Sequence, residues 1–268
     1  MNYKELYEFA YNFLLTFENV TESILERHLV PDLIKPKDLN KIYFKLCESA
    51  QNRQMSAKVI GQSIGGIENL KKLLFEFDPK RVSEKYKKNE SNKLLIDIIS
   101  TLKPKGQLRT TNRSIWPQFC KSIIDSAYFL NSFDNVIDFY DWADFFIHDK
   151  KAKLSLPLLI SAEIHGIGFP LACDFLKEIG YIEYSKPDTH LRDIFFALNI
   201  VDNYEKSIIK QDFEILQVVD KIAFENNTTP YAVDKVFWLI GSGNFYSSNI
   251  KIGGQKQKFI DKFKSIIS

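Results

Sequence analysis

Residues 156–195 read LPLLISAEIHGIGFPLACDFLKEIGYIEYSKPDTHLRDIF. The first part forms a short helix from Pro157, then the run His165-Gly166-Ile167-Gly168, then a second helix that ends at Gly180. Ala172, Phe175, Leu176 and Ile179 fall at i, i+3, i+4 and i+7 and give that second helix one apolar stripe. Two glycines around one aliphatic residue permit a tight reversal with positive φ, and Ile167 plugs the reversal into its own core. The N–H groups from Gly166 to Phe169 then face outward at a helix start, where unpaired donors and the helix dipole favour a phosphate. Pro170 suits the first turn, where a missing N–H costs nothing.

Outward from this hairpin, apolar residues recur at helical spacing almost everywhere, and alternating strand patterns are few. The spacing predicts helices near 3–17, 20–29, 38–50, 54–64, 67–76, 91–102, 117–130, 134–147, 156–164, 170–179, 188–198, 206–226, 230–240 and 255–267. Thr229-Pro230 supplies an N-cap and a first-turn proline, and Gly241 is expected to stop the helix carrying VFWLI. The fold class is all-α. Abundant Phe (22) against scarce Gly (11) suits packed helices better than a turn-rich sandwich. The segment KPKGQLRTTN, from Lys103 to Asn112, is the most loop-like stretch.

The formal net charge of +2 decides little; its distribution decides more. Thr101 to Ile124 holds Lys103, Lys105, Arg109, Arg113 and Lys121 with no acid, and the tail holds lysines 251, 256, 258, 262 and 264 against Asp261. Such runs follow phosphates or form a solvated face, and charge alone does not choose. No apolar run approaches the roughly 20 residues that span a bilayer. The start, MNYKELYEFAYNFLL, reads as an amphipathic helix rather than a signal peptide. Cys47, Cys120 and Cys173 are odd in number and far apart, which excludes a disulfide framework and a four-cysteine cluster and points to a reducing, cytoplasmic setting.

The hairpin region resembles the helix-hairpin-helix (HhH-GPD) DNA glycosylase superfamily. Its endonuclease III-like branch reads approximately L-P-G-V-G-x-K-T-A and then V-D-T-H. The corresponding residues here are Ile164, His165, Gly166, Ile167, Gly168, Phe169, Pro170, Leu171 and Ala172, followed by Pro187, Asp188, Thr189 and His190. Pro170 and Asp188 are 18 residues apart, the family's interval between its lysine and its aspartate. The clear resemblance covers about 40 residues; a looser one runs from roughly residue 55 onward and includes SAKVIGQS, similar to a helix ending in S-x-Q. The resemblance implies Asp188 as the catalytic carboxylate, Gly166, Ile167, Gly168 and Phe169 on DNA, and Gln62 inserted in place of the extruded base. Two departures matter. Pro170 stands where bifunctional members carry their Schiff-base lysine, and no Cys follows Cys173, so the branch's iron–sulfur cluster is not expected.

What this implies is a two-lobed helical glycosylase fold, with residues 1–58 and 187–268 in one lobe and 59–186, carrying the hairpin at about 157–180, in the other. Duplex DNA is the expected partner, the chain a monomer without membrane contact, and the activity a monofunctional base excision. No cofactor or metal is expected, apart from a monovalent cation that the hairpin can hold. The alternatives are a DNA-binding protein without chemistry and a helical protein–protein adaptor in which GIG is only a turn.

The chemistry of Asp188 stands on its own. Breaking an N-glycosidic bond builds positive charge on the sugar, and a carboxylate near C1′ stabilises it and activates water. An aspartate before a helix is also an ordinary N-cap; the upstream hairpin weighs toward catalysis. Trp116, Phe119, Tyr128 and Trp238 are candidates to stack on a flipped base, or are core aromatics. Lys177 and Lys186 are candidates for a displaced nucleophile, or are surface cations. His165 and His190 read as structural, His190 with a supporting place beside Asp188.

Overall fold

The structure is a computed structural model that describes residues 2–31, 34–53, 59–202, 204 and 207–267. Short polar side chains cut the chain into helices. Asn2, Thr21, Asp38, Asp78, Asn135, Asp188 and Thr229 each accept a backbone N–H in the helix that follows, a cap that stabilises each helix by about 1 kcal/mol. The helices are α1 (Tyr3–Leu15), α2 (Glu22–Leu29), α3 (Leu39–Gln51), α4 (Pro79–Lys85), α5 (Ser91–Leu102), α6 (Ile115–Leu130) and α7 (Val136–Ile147). They continue with α8 (Ser155–Glu163), α9 (Phe169–Glu178), α10 (Thr189–Ala197), α11 (Ile208–Glu225), α12 (Pro230–Ser242) and α13 (Lys256–Ile267). Two-residue strands, β1 (Asn244–Phe245) and β2 (Ile250–Lys251), pair antiparallel. The expected all-α class is the observed one.

The chain divides into two compact units, a middle unit of Ile34–Ile179 and a terminal unit of Met1–Leu33 with Gly180–Ser268. Helix α6 is the axis of the middle unit. It is buried from Trp116 to Leu130 on almost every face, as a helix apolar all round must be, and α3, α4, α5 and α8 pack on it. The buried Tyr43 hydroxyl of α3 donates to the Ile123 carbonyl of α6 at 3.0 Å. The division assigned from sequence, 59–186 against 1–58 with 187–268, is therefore corrected at both borders: the middle unit begins at Ile34, since α3 packs on α6 and α9, and it ends at Ile179.

Helix α12 plays the same part in the terminal unit, buried from Tyr231 to Phe237 and from Leu239 to Gly241, with α1, α2, α10 and α11 around it. The abundant phenylalanines explain themselves here. Phe9, Phe13, Phe259 and Phe263 form one ring cluster, and Phe237 joins it to Phe195.

Three expected helix boundaries change. Of the helix expected at 54–64, residues 54–58 lie outside the described ones; 59–61 form a turn and Gln62–Ile64 a single 3-10 turn, ended by Gly65 and Gly66 at φ 77° and 120°. The helix expected at 67–76 is a 3-10 segment over Ile67–Lys72, because Phe75, Glu76 and Phe77 all take positive φ. Helix α4 is an addition whose signal is Asp78-Pro79, a cap followed by a first-turn proline. Gly241 does not stop α12; the helix runs on to Ser242 and ends on Gly243 at φ 64°.

Arg192 on α10 and Asp212 on α11 form an ion pair whose carboxylate is buried. Burial pushes Asp212 up to about 6 against the pull of the guanidinium. Arg192→Ala is expected to destabilise the chain by about 3–5 kcal/mol at pH 8, because a buried charge loses its partner. The loss shrinks toward pH 5, where Asp212 takes up a proton and is neutral. Urea denaturation at the two pH values measures both.

Candidate functional site

The hairpin joins α8 to α9 within the middle unit. Ile167 is 1% exposed and its N–H bonds to Ile164 O at 3.2 Å, so this donor closes the turn and does not face outward as expected. The N–H groups of Gly166 and Gly168 meet no partner among the described residues. Gly166 takes φ 83° and carries the reversal. Gly168, at φ −73° and ψ 169°, is ordinary extended backbone at the N-cap of α9, so only one of the two glycines needs its freedom. The Phe169 side chain is buried, which leaves its backbone as the part that can reach a ligand. Pro170 lies in the first turn of α9, as expected.

Helix α6 holds the hairpin in place. Ser122 Oγ donates to the carbonyl of His165, and Asp125 Oδ2 accepts the His165 N–H at 3.2 Å. Gln118 Oε1 accepts from His165 Nε2 and from Arg53 Nη1, the latter at 2.8 Å, while Gln118 Nε2 donates to Asn112 O. Burial, followed by the charges of Lys121 and Arg53, lowers the His165 pKa, so the ring is neutral at pH 7 and the network assigns its proton to Nε2. Burial raises Asp125.

The second constellation belongs to the terminal unit. Asp188 caps α10: its Oδ1 accepts His190 N–H at 2.7 Å and Leu191 N–H at 3.2 Å. Oδ2 accepts nothing from the described residues. Burial raises the Asp188 pKa and the nearby charge of Asp234 raises it further; His190 and the two N–H groups pull it back. Asp234, buried on α12, accepts the Lys186 N–H at 3.2 Å, and Asp188 N–H bonds to Lys186 O at 2.7 Å. The His190 ring fills the space that a side chain at position 241 would take. Gly241 is thus a slot for an imidazole, and Trp238 meets the same ring edge-on at 6.4 Å.

The remaining candidates scatter. Trp116 and Phe119 are buried and meet edge-to-face at 6.0 Å. Trp116 floors a groove of about 470 Å³ with Gln107, Arg109, Thr111 and Arg113. Tyr128 lines a different groove with Lys88, Phe133 and Trp142, and its hydroxyl donates to Ser83 O at 3.1 Å. The two rings do not share a pocket. Trp238 belongs to the terminal unit beside His190. Gln62 is exposed in its 3-10 turn rather than at the end of a helix. Helix α3 does end on an S-x-Q, Ser49-Ala50-Gln51, which sequence reasoning missed. Lys177 is buried with its ammonium 3.1 Å from Asp174. Cys47, Cys120 and Cys173 are buried thiols outside any disulfide, and burial pushes the first two well above their ordinary range. Among the described residues no group of three His, Cys, Asp or Glu side chains is arranged to hold a metal, and no helix is long and apolar enough to cross a membrane.

No family model matches the sequence, and no curated protein does either. A solved structure does: the 8-oxoguanine glycosylase/lyase of Methanocaldococcus jannaschii in complex with a 15mer DNA containing 8-oxoguanine. The likeness has a TM-score of 0.55 and covers 88% of this chain and 96% of that one, at 17% identity. The chain has a glycosylase-like helical fold. At that identity the likeness concerns the fold.

Because Asp188 is raised by burial and then by Asp234, its carboxyl is expected to titrate above the ordinary value of about 3.9. Asp234→Asn keeps an acceptor for the Lys186 N–H and removes the charge, so the Asp188 midpoint moves down. Carboxyl-carbon NMR titration of the two proteins measures the shift.

Proposed function

We propose that the chain is a DNA repair glycosylase that releases a damaged or mismatched base by hydrolysis. The observation that carries this reading is the division of labour at Asp188. One carboxylate oxygen is taken up in capping α10, which fixes the group, and the other accepts nothing from the described residues. A fixed, half-desolvated carboxylate is suited to stabilise the cation that develops at C1′ and to take a proton from the attacking water. The fold shared with a glycosylase/lyase solved on DNA, and the hairpin N–H groups of Gly166 and Gly168, support DNA as the partner.

The reaction needs no amine. Water adds its oxygen to C1′, the bond to the base breaks, and the base leaves with a proton, giving an abasic strand. Pro170 has no side-chain nucleophile at the position from which the resemblance would supply one, and the ammonium of Lys177 is engaged by Asp174. The duplex contacts fall to the hairpin. The residue inserted into the duplex is assigned to Gln51 in place of Gln62, because α3 ends on it and Arg53, two residues on, bonds the network that holds the hairpin. The solved relative holds DNA containing 8-oxoguanine, which makes that lesion the first to test.

Asp188→Asn is a clean probe, since Asn caps a helix as well as Asp does. It is expected to lower release of free base from a panel of lesion duplexes by at least about 100-fold, while duplex affinity stays within a few-fold. Release at the wild-type rate from the folded variant refutes the role of Asp188.

Water as nucleophile leaves an intact abasic strand that breaks only after alkali, with no adduct on borohydride treatment. A trapped covalent complex, lost on replacing Lys177 or Lys186 by Ala, would show that an amine from elsewhere does the work.

A further inference from the structure

The turn of the hairpin is pressed against a cation. A Cβ added to Gly166 would stand 2.8 Å from Arg53 Nη1 and 2.7 Å from Ser122 Oγ, so the guanidinium lies directly against the glycine whose N–H has no partner among the described residues. Arg53 follows the last turn of α3 and belongs to a different segment of the middle unit from the hairpin. The fold, not the sequence, brings the two together. Gln118 aims the guanidinium: its Oε1 accepts Arg53 Nη1–H at 2.8 Å and also takes the His165 Nε2–H. Gln118 is neutral, so this contact orients the charge without cancelling it. After burial, the charges of Lys121 and Arg53 lower the His165 pKa, and the carboxylate of Asp125 opposes them. Two cations thus stand at the hairpin against the one carboxylate of Asp125, in addition to the two N–H groups and the helix start.

We propose that Arg53 is a phosphodiester contact, and that Gln118 is the residue that positions it, so that the hairpin N–H groups and the guanidinium form one anion site. The inference rests on the DNA-binding reading above and adds to it a specific cation and its support. Backbone N–H groups fix a phosphate by direction, and a guanidinium adds a full charge and paired donors. A contact to phosphate holds every duplex alike and leaves its trace in the salt dependence of binding rather than in sequence preference.

The test is fluorescence anisotropy of the full chain with a labelled duplex carrying a tetrahydrofuran abasic-site analogue, titrated at several salt concentrations. Arg53→Ala is expected to reduce the magnitude of the slope of log K against log salt by about 0.9, the value of one phosphate contact. Arg53→Lys keeps the charge and so restores most of the slope while losing part of the affinity. Gln118→Leu changes no charge, yet is expected to reduce the slope in the same direction, and the double variant is no worse than Arg53→Ala. A role confined to folding lowers affinity and melting temperature together with the slope intact, and that result overturns the proposal. Arg53→Gln serves as the second neutral variant if Arg53→Ala does not fold. An unchanged slope in Arg53→Ala or Arg53→Gln, with Gly168→Leu still weakening binding, removes Arg53 and leaves the hairpin reading standing. A wild-type chain with no salt-dependent duplex binding removes both.

Discussion

Two helices are buried around most of their circumference, and a polar group on such a helix must find a partner or cost roughly 1–3 kcal/mol. Helix α6 carries Ser122 and Asp125 buried and Gln118 half-buried beside them; helix α12 carries the buried Asp234. What satisfies them is the pair of segments on which the proposed function rests. Ser122 and Asp125 take the carbonyl and the N–H of His165, and Gln118 takes its ring. Asp234 takes the N–H of Lys186, which opens the turn into Asp188. The hairpin and the carboxylate turn are each fixed to the central helix of their own unit, and their geometry is inherited from the core.

The same principle explains Asp188. A helix cap and a catalytic carboxylate look like rival roles, since the first consumes hydrogen-bonding capacity and the second needs it. A carboxylate has two oxygens, and the cap uses Oδ1 alone. Capping is then compatible with the proposed chemistry, because it orients a partly buried group whose pKa is raised by burial and by Asp234. His190, next along the turn, is seated by the missing side chain of Gly241.

Much of this was legible in the sequence. The periodicity of 156–195 located α8, the hairpin, α9 and the start of α10, and the caps at Thr229-Pro230 and Asp188 stood where the local chemistry put them. Local signals failed where backbone conformation ran against side-chain pattern. The apolar spacing of 67–76 is helical, yet three consecutive residues with positive φ turn the chain, and no side-chain pattern announces that. The S-x-Q of α3 was visible, but only the observed end of the helix distinguishes Ser49-Ala50-Gln51 from the similar stretch at Gln62.

The sequence by itself therefore determined an all-helical chain, a glycine hairpin and a carboxylate 18 residues beyond Pro170, because these depend on spacing within one segment. Tertiary structure decided the rest. Gly241 reads as a helix stop in one dimension and is a slot for His190 in three. Arg53 reads as one cation among many until α3 packs on α6 and α9 and brings it against Gly166. The candidate aromatics share a composition but not a pocket, since Trp116 and Tyr128 line separate grooves. Close packing brings together residues far apart in sequence, and the spacing of letters within one segment carries no record of that.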